Sequence, residues 1–366
     1  MKIAILARGL TRGGVGRCIE NILTEFNSGN FEHDFHVLTD DPSYVERCRL
    51  LKVHFIPPSN ILIWDYLLSL FRLHKIKPDV VLYPKNVIPI THHWWLKAKK
   101  VNIVHDLAYF DNKLKEYKFF DTLYMKIFMG WSCLVADKTI AVSKHTKKDI
   151  VNILGTPEKK ICVIYEGVEK KFRRETDLEK LSDTLCKFKI KKPFLFYCGS
   201  LSPRKNMLRV MQAFQQLKDQ IPHNIYLAGG QSWNDREVTE YISRNLSNRV
   251  FRIGHLTDAE LIVLYSTADL FLYPSLYEGF GLPILEAQAC GCPVLTSNRT
   301  SCPEIAGDNA AVIVDPFSVK DISDNLLTIL QNQALSFNIS RLGSINVKNF
   351  DWTTSVKKIV NVVENL

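Results

Sequence analysis

A chain of 366 residues is too long for one ordinary hydrophobic core and suits two domains with connecting segments. Its 46% hydrophobic and 23% charged residues exclude disorder as the default, and no apolar run approaches the roughly 18 residues of a membrane-spanning helix. The net charge of +9 is uneven: residues 1–168 hold 24 Lys/Arg against 17 Asp/Glu, so this half suits an anionic membrane, an acidic acceptor or nucleic acid, or is simply solvated.

Short β-rich runs alternate with helical patterns along the whole chain, the signature of a parallel sheet built from strand–helix–strand units. Strands are expected at Lys2–Ala7, Phe35–Thr39, Asp79–Tyr83, Val101–His105 and Thr139–Val142 in the first half. In the second half they are expected at Phe194–Cys198, Asn224–Ala228, Arg249–Ile253, Leu270–Tyr273, Val294–Thr296 and Ala311–Val314. Each series opens on a hydrophobic strand running into a Gly-containing turn (Arg8-Gly9, Gly199-Ser200), so two doubly wound domains follow, 1–168 and 169–349. The charged stretch Glu166 to Lys192 reads as the linker. Trp352, Val356, Ile359, Val360 and Val363 recur at helical spacing, so residues 350–366 form a helix on either domain.

Nine cysteines, an odd number, are scattered through the chain, which fits a reducing compartment. Cys290-Gly-Cys292 lacks metal-ligand spacing and reads as packing. Met1 to Ala7 is too short and too uncharged upstream for a signal peptide. The expected location is the cytosol, including the inner membrane face.

The most informative segment is Tyr273-Pro-Ser-Leu-Tyr-Glu278-Gly-Phe-Gly-Leu-Pro283-Ile-Leu-Glu286-Ala. A strand ends near Pro274, a Gly-rich turn follows, and Pro283 is placed as the first helical residue. Free amides from Gly281 to Leu285, with the helix dipole, would then face a phosphate at the sheet's carboxyl edge. Glu278 in the turn and Glu286 in the first helical turn offer acceptors to sugar and ribose hydroxyls. Arg204 and Lys205 follow the first strand of the second domain, where two fixed cations can stabilise a departing diphosphate. There is no Asp-x-Asp pair and no His-Glu-x-x-His, so no divalent cation is expected. His105 ends a strand with Asp106 after it, and either meets a sugar hydroxyl or is satisfied by its neighbours. Gly13-Gly14-Val-Gly16 matches a dinucleotide fingerprint only superficially.

Glu278 and Glu286 in the form EGFGLPILEA resemble the acidic motif of glycosyltransferase family 4. Gly199-Ser-Leu-Ser-Pro203-Arg-Lys-Asn206, Leu227-Ala-Gly-Gly230, Ile253-Gly-His-Leu256, Ala289-Cys-Gly-Cys-Pro293-Val and Pro303-Glu-Ile-Ala-Gly307 occur in the family's order and spacing. Gly13-Gly14 and His105-Asp106 match in the first half. The resemblance implies the GT-B fold, two Rossmann-like domains facing each other across a cleft, and retaining, metal-independent hexose transfer from a GDP- or UDP-hexose. It assigns catalysis to His105, Glu278, Arg204 and Lys205. Donor binding falls to Gly14, Ser200, Gly229, His255, Leu256, Gly279, Phe280, Gly281, Leu282 and Glu286. One departure is Ser200, where many members carry arginine; Arg204 could supply that cation.

The acceptor, a saccharide or a lipid-linked one, is less visible. Trp94 and Trp95 beside Lys97, Lys99 and Lys100, and the aromatic-basic stretch Lys113 to Trp131, suit a membrane interface or are core with a solvated rim. No recognition helix or stacking motif points to nucleic acid. The remaining alternatives are a sugar-nucleotide epimerase of similar architecture and a non-catalytic shell, against which the Arg-Lys pair and both glutamates speak.

Overall fold

The computed structural model describes residues 1–10, 13–111, 114, 117, 119–230 and 234–366. It divides into two units: Met1–Phe110 with Lys118–Gly167 and Asp351–Leu366, and Asp111–Tyr117 with Val168–Phe350.

The first unit holds β1 (Lys2–Ala7), β2 (Asp34–Thr39), β3 (Lys52–Phe55), β4 (Val80–Tyr83), β5 (Lys99–Val104), β6 (Lys138–Ala141) and β7 (Ile161–Val163). They form one parallel sheet in the order β3-β2-β1-β4-β5-β6-β7. The second unit holds β8 (Phe194–Cys198), β9 (Asn224–Ala228), β10 (Val250–Gly254), β11 (Leu270–Tyr273), β12 (Val294–Ser297) and β13 (Val312–Val314), again parallel, in the order β10-β9-β8-β11-β12-β13. Both orders reverse beside the first strand of the unit, the arrangement that opens a ligand crevice at the strands' carboxyl ends. Central strands such as Phe194–Tyr197 and Leu270–Tyr273 are buried throughout, as sheets covered on both faces require.

Two strands escaped the sequence reading. β3 alternates charged and apolar residues over only four positions at a sheet edge, and β7 is three residues long. The stretch read as a linker is also structured. Asp177 caps a helix at Leu178–Lys187 by accepting from Glu179 and Lys180 amides, and Phe172 is buried in the second core. The terminal helix Trp352–Glu364 is capped by Asp351 and packs with the helix Gly13–Phe26 of the first unit. Gly167 lets the start of the terminal helix lie against the chain there, because a Cβ would stand 2.4 Å from the Trp352 amide nitrogen.

Candidate functional site

Because all strands of the second sheet are parallel, the turns after β8, β9, β10 and β11 share its carboxyl edge. After β8, Gly199 adopts φ 149°; after β9, Gly229 adopts φ 124° and lies against it. A Cβ on Gly229 would stand 2.3 Å from the Gly199 carbonyl oxygen, so only glycine permits this close approach. Gly229 donates its amide to the Gly254 carbonyl at 2.8 Å, and a Cβ on Gly230 would meet His255 Nε2 at 2.7 Å. Ser200, Gly229 and His255 are thus brought to one edge, with Leu256 following; Tyr197 donates its hydroxyl to the Ser200 carbonyl.

The turn Pro203–Lys205 presents the two cations, and Asn206, left-handed at φ 61°, ends it. The buried Asn206 amide donates to the Pro274 and Pro316 carbonyls at 3.1 and 2.7 Å, while the Leu276 amide donates to the Arg204 carbonyl at 2.8 Å. These bonds hold the turn to the loop after β11. There Glu278 is clamped: Lys205 Nζ donates to Oε1 at 2.6 Å and Arg204 Nη1 to Oε2 at 2.9 Å. Arg204 Nη1 also reaches the Tyr277 carbonyl at 2.9 Å, and Lys205 Nζ the Tyr273 hydroxyl at 3.0 Å. From the other side, Thr300 Oγ1 accepts the Glu278 amide at 3.0 Å, and Ser301 Oγ donates to the Glu278 and Phe280 carbonyls.

All three charged groups are nearly enclosed, with side-chain exposure of 13% for Arg204, 11% for Lys205 and 8% for Glu278. Burial alone would raise the Glu278 pKa; the charges of Lys205 and Arg204 outweigh it and bring the carboxyl down to about 2. Glu278 is therefore an anion at neutral pH and a poor proton acceptor, while the triad keeps one net positive charge at the sheet edge.

Gly281 at φ 109° caps the helix Leu282–Ala289, so Leu282 is its first residue and Pro283 its second, one place later than the sequence suggested. The Ile284 amide closes the first turn on the Gly281 carbonyl, removing it from the amides expected to face a phosphate. Glu286 lies beyond the first turn, buried, accepting from the Tyr265 hydroxyl at 3.3 Å. It is a held side chain rather than an exposed helix-start carboxylate. The Phe280 ring is buried edge-on against Phe350, and its carbonyl accepts from Ser301 at 2.7 Å.

In the first unit, Gly14 is exposed in the opening turn of the helix Gly13–Phe26; Thr11 and Arg12, just before it, lie outside the described residues. Gly16 has a packing role, since a Cβ there would lie 2.2 Å from the Leu10 carbonyl oxygen. His105 is held on both sides. Its Nδ1 bonds Glu166 Oε1 at 3.0 Å and its Nε2 bonds the Pro84 carbonyl at 3.0 Å, so neither ring nitrogen is left for a sugar hydroxyl in this arrangement. Burial lowers the imidazole pKa, but the hydrogen bond and charge of Glu166 outweigh it, and the net displacement is upward, toward an imidazolium–carboxylate pair. Glu166, inside the supposed linker, was not singled out by the sequence; nothing local distinguishes it from its charged neighbours. Cys18, His105 and Glu166 place metal-capable atoms within 4.8 Å of one another, with Glu166 hydrogen-bonded to both the imidazole and the thiol.

The two acceptor-side stretches differ from expectation in their charge. Lys100 is buried, donating to the Leu96 and Ala98 carbonyls, and Lys99 pairs with Asp137 at 3.1 Å, so only Lys97 of the three stands exposed without an ion pair among the described residues. Lys113, Lys115 and Lys118 lie outside the described residues. The apolar part is exposed: Trp94, Trp95, Phe119, Phe120, Leu123, Ile127 and Leu134 all face solvent. On the helix Phe119–Val135, residues 120, 123, 127 and 134 follow helical spacing and form one stripe. Tyr66 joins this helix to its neighbour, its hydroxyl 3.1 Å from that of Tyr124.

Residues 186–343 match the model of Glycosyl transferases group 1, and residues 12–172 that of Glycosyltransferase Family 4. The O-antigen chain mannosyltransferase B of Escherichia coli is 31% identical over 273 residues, 73% of this chain and 71% of that protein. The chain belongs to glycosyltransferase family 4. This glycosyltransferase is also 26% identical over 298 residues to the serotype-specific mannosyltransferase WbdA of Escherichia coli, 79% of its own length but only 35% of that longer protein. Among solved structures, Anabaena HepE in complex with UDP-glucose superposes with a TM-score of 0.81 at 18% identity over 100% of both chains. WaaG, a glycosyltransferase involved in lipopolysaccharide biosynthesis, gives 0.76 at 18% identity over 99% of each. The fold is GT-B.

Proposed function

We propose that this glycosyltransferase moves a hexose, with mannose the first candidate, from a nucleoside-diphosphate donor to a saccharide or lipid-linked saccharide, retaining the anomeric configuration and using no metal. The observation that carries the reading is the buried Arg204–Glu278–Lys205 triad beside the Gly199/Gly229 approach and the Gly281-capped helix. Mannose is favoured because the sequence relatives include two named mannosyltransferases. The base of the donor, GDP or UDP, is open to the same test.

In this reading the bond between the anomeric carbon and the phosphate oxygen breaks as the acceptor oxygen bonds that carbon on the same face. The acceptor's proton passes to the departing phosphate, because Glu278 with a pKa of about 2 is too weak a base to take it. Arg204 and Lys205 stabilise charge developing on the diphosphate, held ready by Glu278, so that little reorganisation is needed when charge appears. Glu278 spends one lone pair on each cation and keeps others for a sugar hydroxyl. Glu286, fixed by Tyr265, receives the ribose diol. His105 then acts by shaping the end of β5 through its two hydrogen bonds rather than by touching sugar.

The exposed stripe of the helix Phe119–Val135, with Trp94 and Trp95, supports contact with a bilayer in which a lipid-linked acceptor sits. The decisive assay supplies GDP-mannose, UDP-glucose and UDP-linked amino sugars with and without EDTA, and reads the product anomer by NMR. No transfer and no donor hydrolysis with any of them would sink the donor reading; inversion or loss of turnover with EDTA would sink the mechanism. Sedimentation with anionic liposomes, abolished in Phe120→Asp/Ile127→Asp, tests the membrane contact, and no sedimentation of the unaltered chain refutes it.

A further inference from the structure

The second unit has a cavity of about 570 Å³ that plays no part in the chemistry above. It lies at the opposite edge of the sheet: Lys192 and Pro193 precede β8, Asp269 precedes β11 and Pro293 precedes β12, and all four line it. Gly199, Gly229 and Glu278 follow the strands instead, and the five residues of β8 alone separate the two edges by roughly 16 Å. One ligand the size of a monosaccharide cannot span both.

The lining has three chemistries. Arg174 and Lys192 are exposed and make no ion pair among the described residues, so two cations line the cavity together with one carboxylate, Asp269. Asp269 Oδ2 accepts the Phe194 amide at 2.7 Å, which fixes the carboxylate and leaves Oδ1 as an acceptor. Gln333 and Ser336 stand one turn apart at the start of the helix Gln333–Asn346, whose amino end adds partial positive charge. Phe337, which also lines the cavity, is 72% exposed, an apolar residue left in water. A volume of this order is that of a small-molecule site in which a few placed polar groups fix the ligand.

We infer that this cavity is a second ligand site, specific for a phosphorylated monosaccharide. Arg174 and Lys192 bind the phosphate, for which guanidinium forks and ammonium groups are suited. Asp269, Gln333 and Ser336 take the ring hydroxyls, and Phe337 covers the ring's apolar C–H face. A free sugar leaves the cations unpaired, and inorganic phosphate leaves the acceptors and the aromatic ring unused. The site stands independently of the sugar-transfer reading.

The test is titration calorimetry of the full chain with mannose 6-phosphate, glucose 6-phosphate and inorganic phosphate. A hexose phosphate binds the unaltered chain, and Arg174→Glu/Lys192→Glu weakens it about tenfold or more, the scale of one charge-assisted hydrogen bond. Gln333→Ala/Phe337→Ala weakens the hexose phosphate while leaving inorganic phosphate unchanged. Lys205→Ala, at the other edge, leaves both unchanged. Absence of binding to the unaltered chain overturns the inference, as does binding that survives the double charge reversal or is lost with Lys205→Ala. All four substituted cavity side chains are surface groups, so circular dichroism is expected to show native spectra; Lys192→Gln, which only removes charge, gives the same ordering with a smaller loss.

Discussion

Replacing Glu278 with Gln removes one charge from a buried triad and leaves Arg204 and Lys205 facing each other without a counter-ion. The cost follows from the carboxyl's own titration. Its pKa falls from an ordinary 4.5 to about 2, and at about 1.4 kcal/mol per pH unit this gap is worth roughly 3 kcal/mol of stability. Because the folded value lies below the unfolded one, that contribution is complete above about pH 4.5 and is lost as the pH falls toward 2. Loss of one partner of a buried ion pair costs about 3–5 kcal/mol, the same scale. Urea titrations of the unaltered chain and Glu278→Gln, followed by circular dichroism, should therefore differ by about 3 kcal/mol at pH 7 and draw together toward pH 2, where the native carboxyl is itself half protonated. A difference below about 1 kcal/mol at pH 7, or one that does not change with pH, would refute the electrostatic account of the triad.

Tyr265→Phe deletes the donor that steadies Glu286 without opening a cavity; loss of one hydrogen bond of about 1 kcal/mol should raise the donor KM about fivefold with kcat unchanged. Glu166→Gln removes the partner that raises the His105 pKa. A raised folded pKa stabilises fully below the unfolded value and is lost as the pH climbs through the folded one, so melts of this variant should fall furthest behind the unaltered chain on the acid side of neutrality and approach it in alkali. Gly229→Ala forces a Cβ to 2.3 Å from the Gly199 oxygen at φ 124°; a lowered melting temperature and lost donor binding are expected, whereas unchanged donor affinity would show that this edge is not used.

The strands that position the site were legible because they are buried on both faces and read as continuous apolar runs, as in Phe194–Cys198 and Leu270–Tyr273. The loop from Tyr273 to Glu286 was legible because its glycines and prolines are backbone instructions that depend little on the rest of the molecule. What the sequence concealed were pairings between residues far apart in the chain. Nothing near Glu166 announces His105, 61 positions earlier, and the Tyr265 hydroxyl finds Glu286 only when two helices pack. The same blindness hid the burial of Lys100, because the Leu96 and Ala98 carbonyls that take its ammonium group belong to the bend before the strand. Charge was misjudged for a related reason: Arg204 and Lys205 were read as a bare cation pair, and folding brings them an anion 73 and 74 positions away.

The return of Asp351–Leu366 to the first unit sets an order of assembly during synthesis. The ribosome delivers the sheet of the opening half early, and the helix Gly13–Phe26 can settle on it through Phe26 and Phe35, yet its contact with the closing helix waits until that helix has been translated. The second unit, supplied almost entirely by one uninterrupted stretch, can mature while its predecessor is still waiting. The part begun first is completed last, and a chain cut back to residue 350 would pair a complete second unit with a first unit that lacks its closing helix.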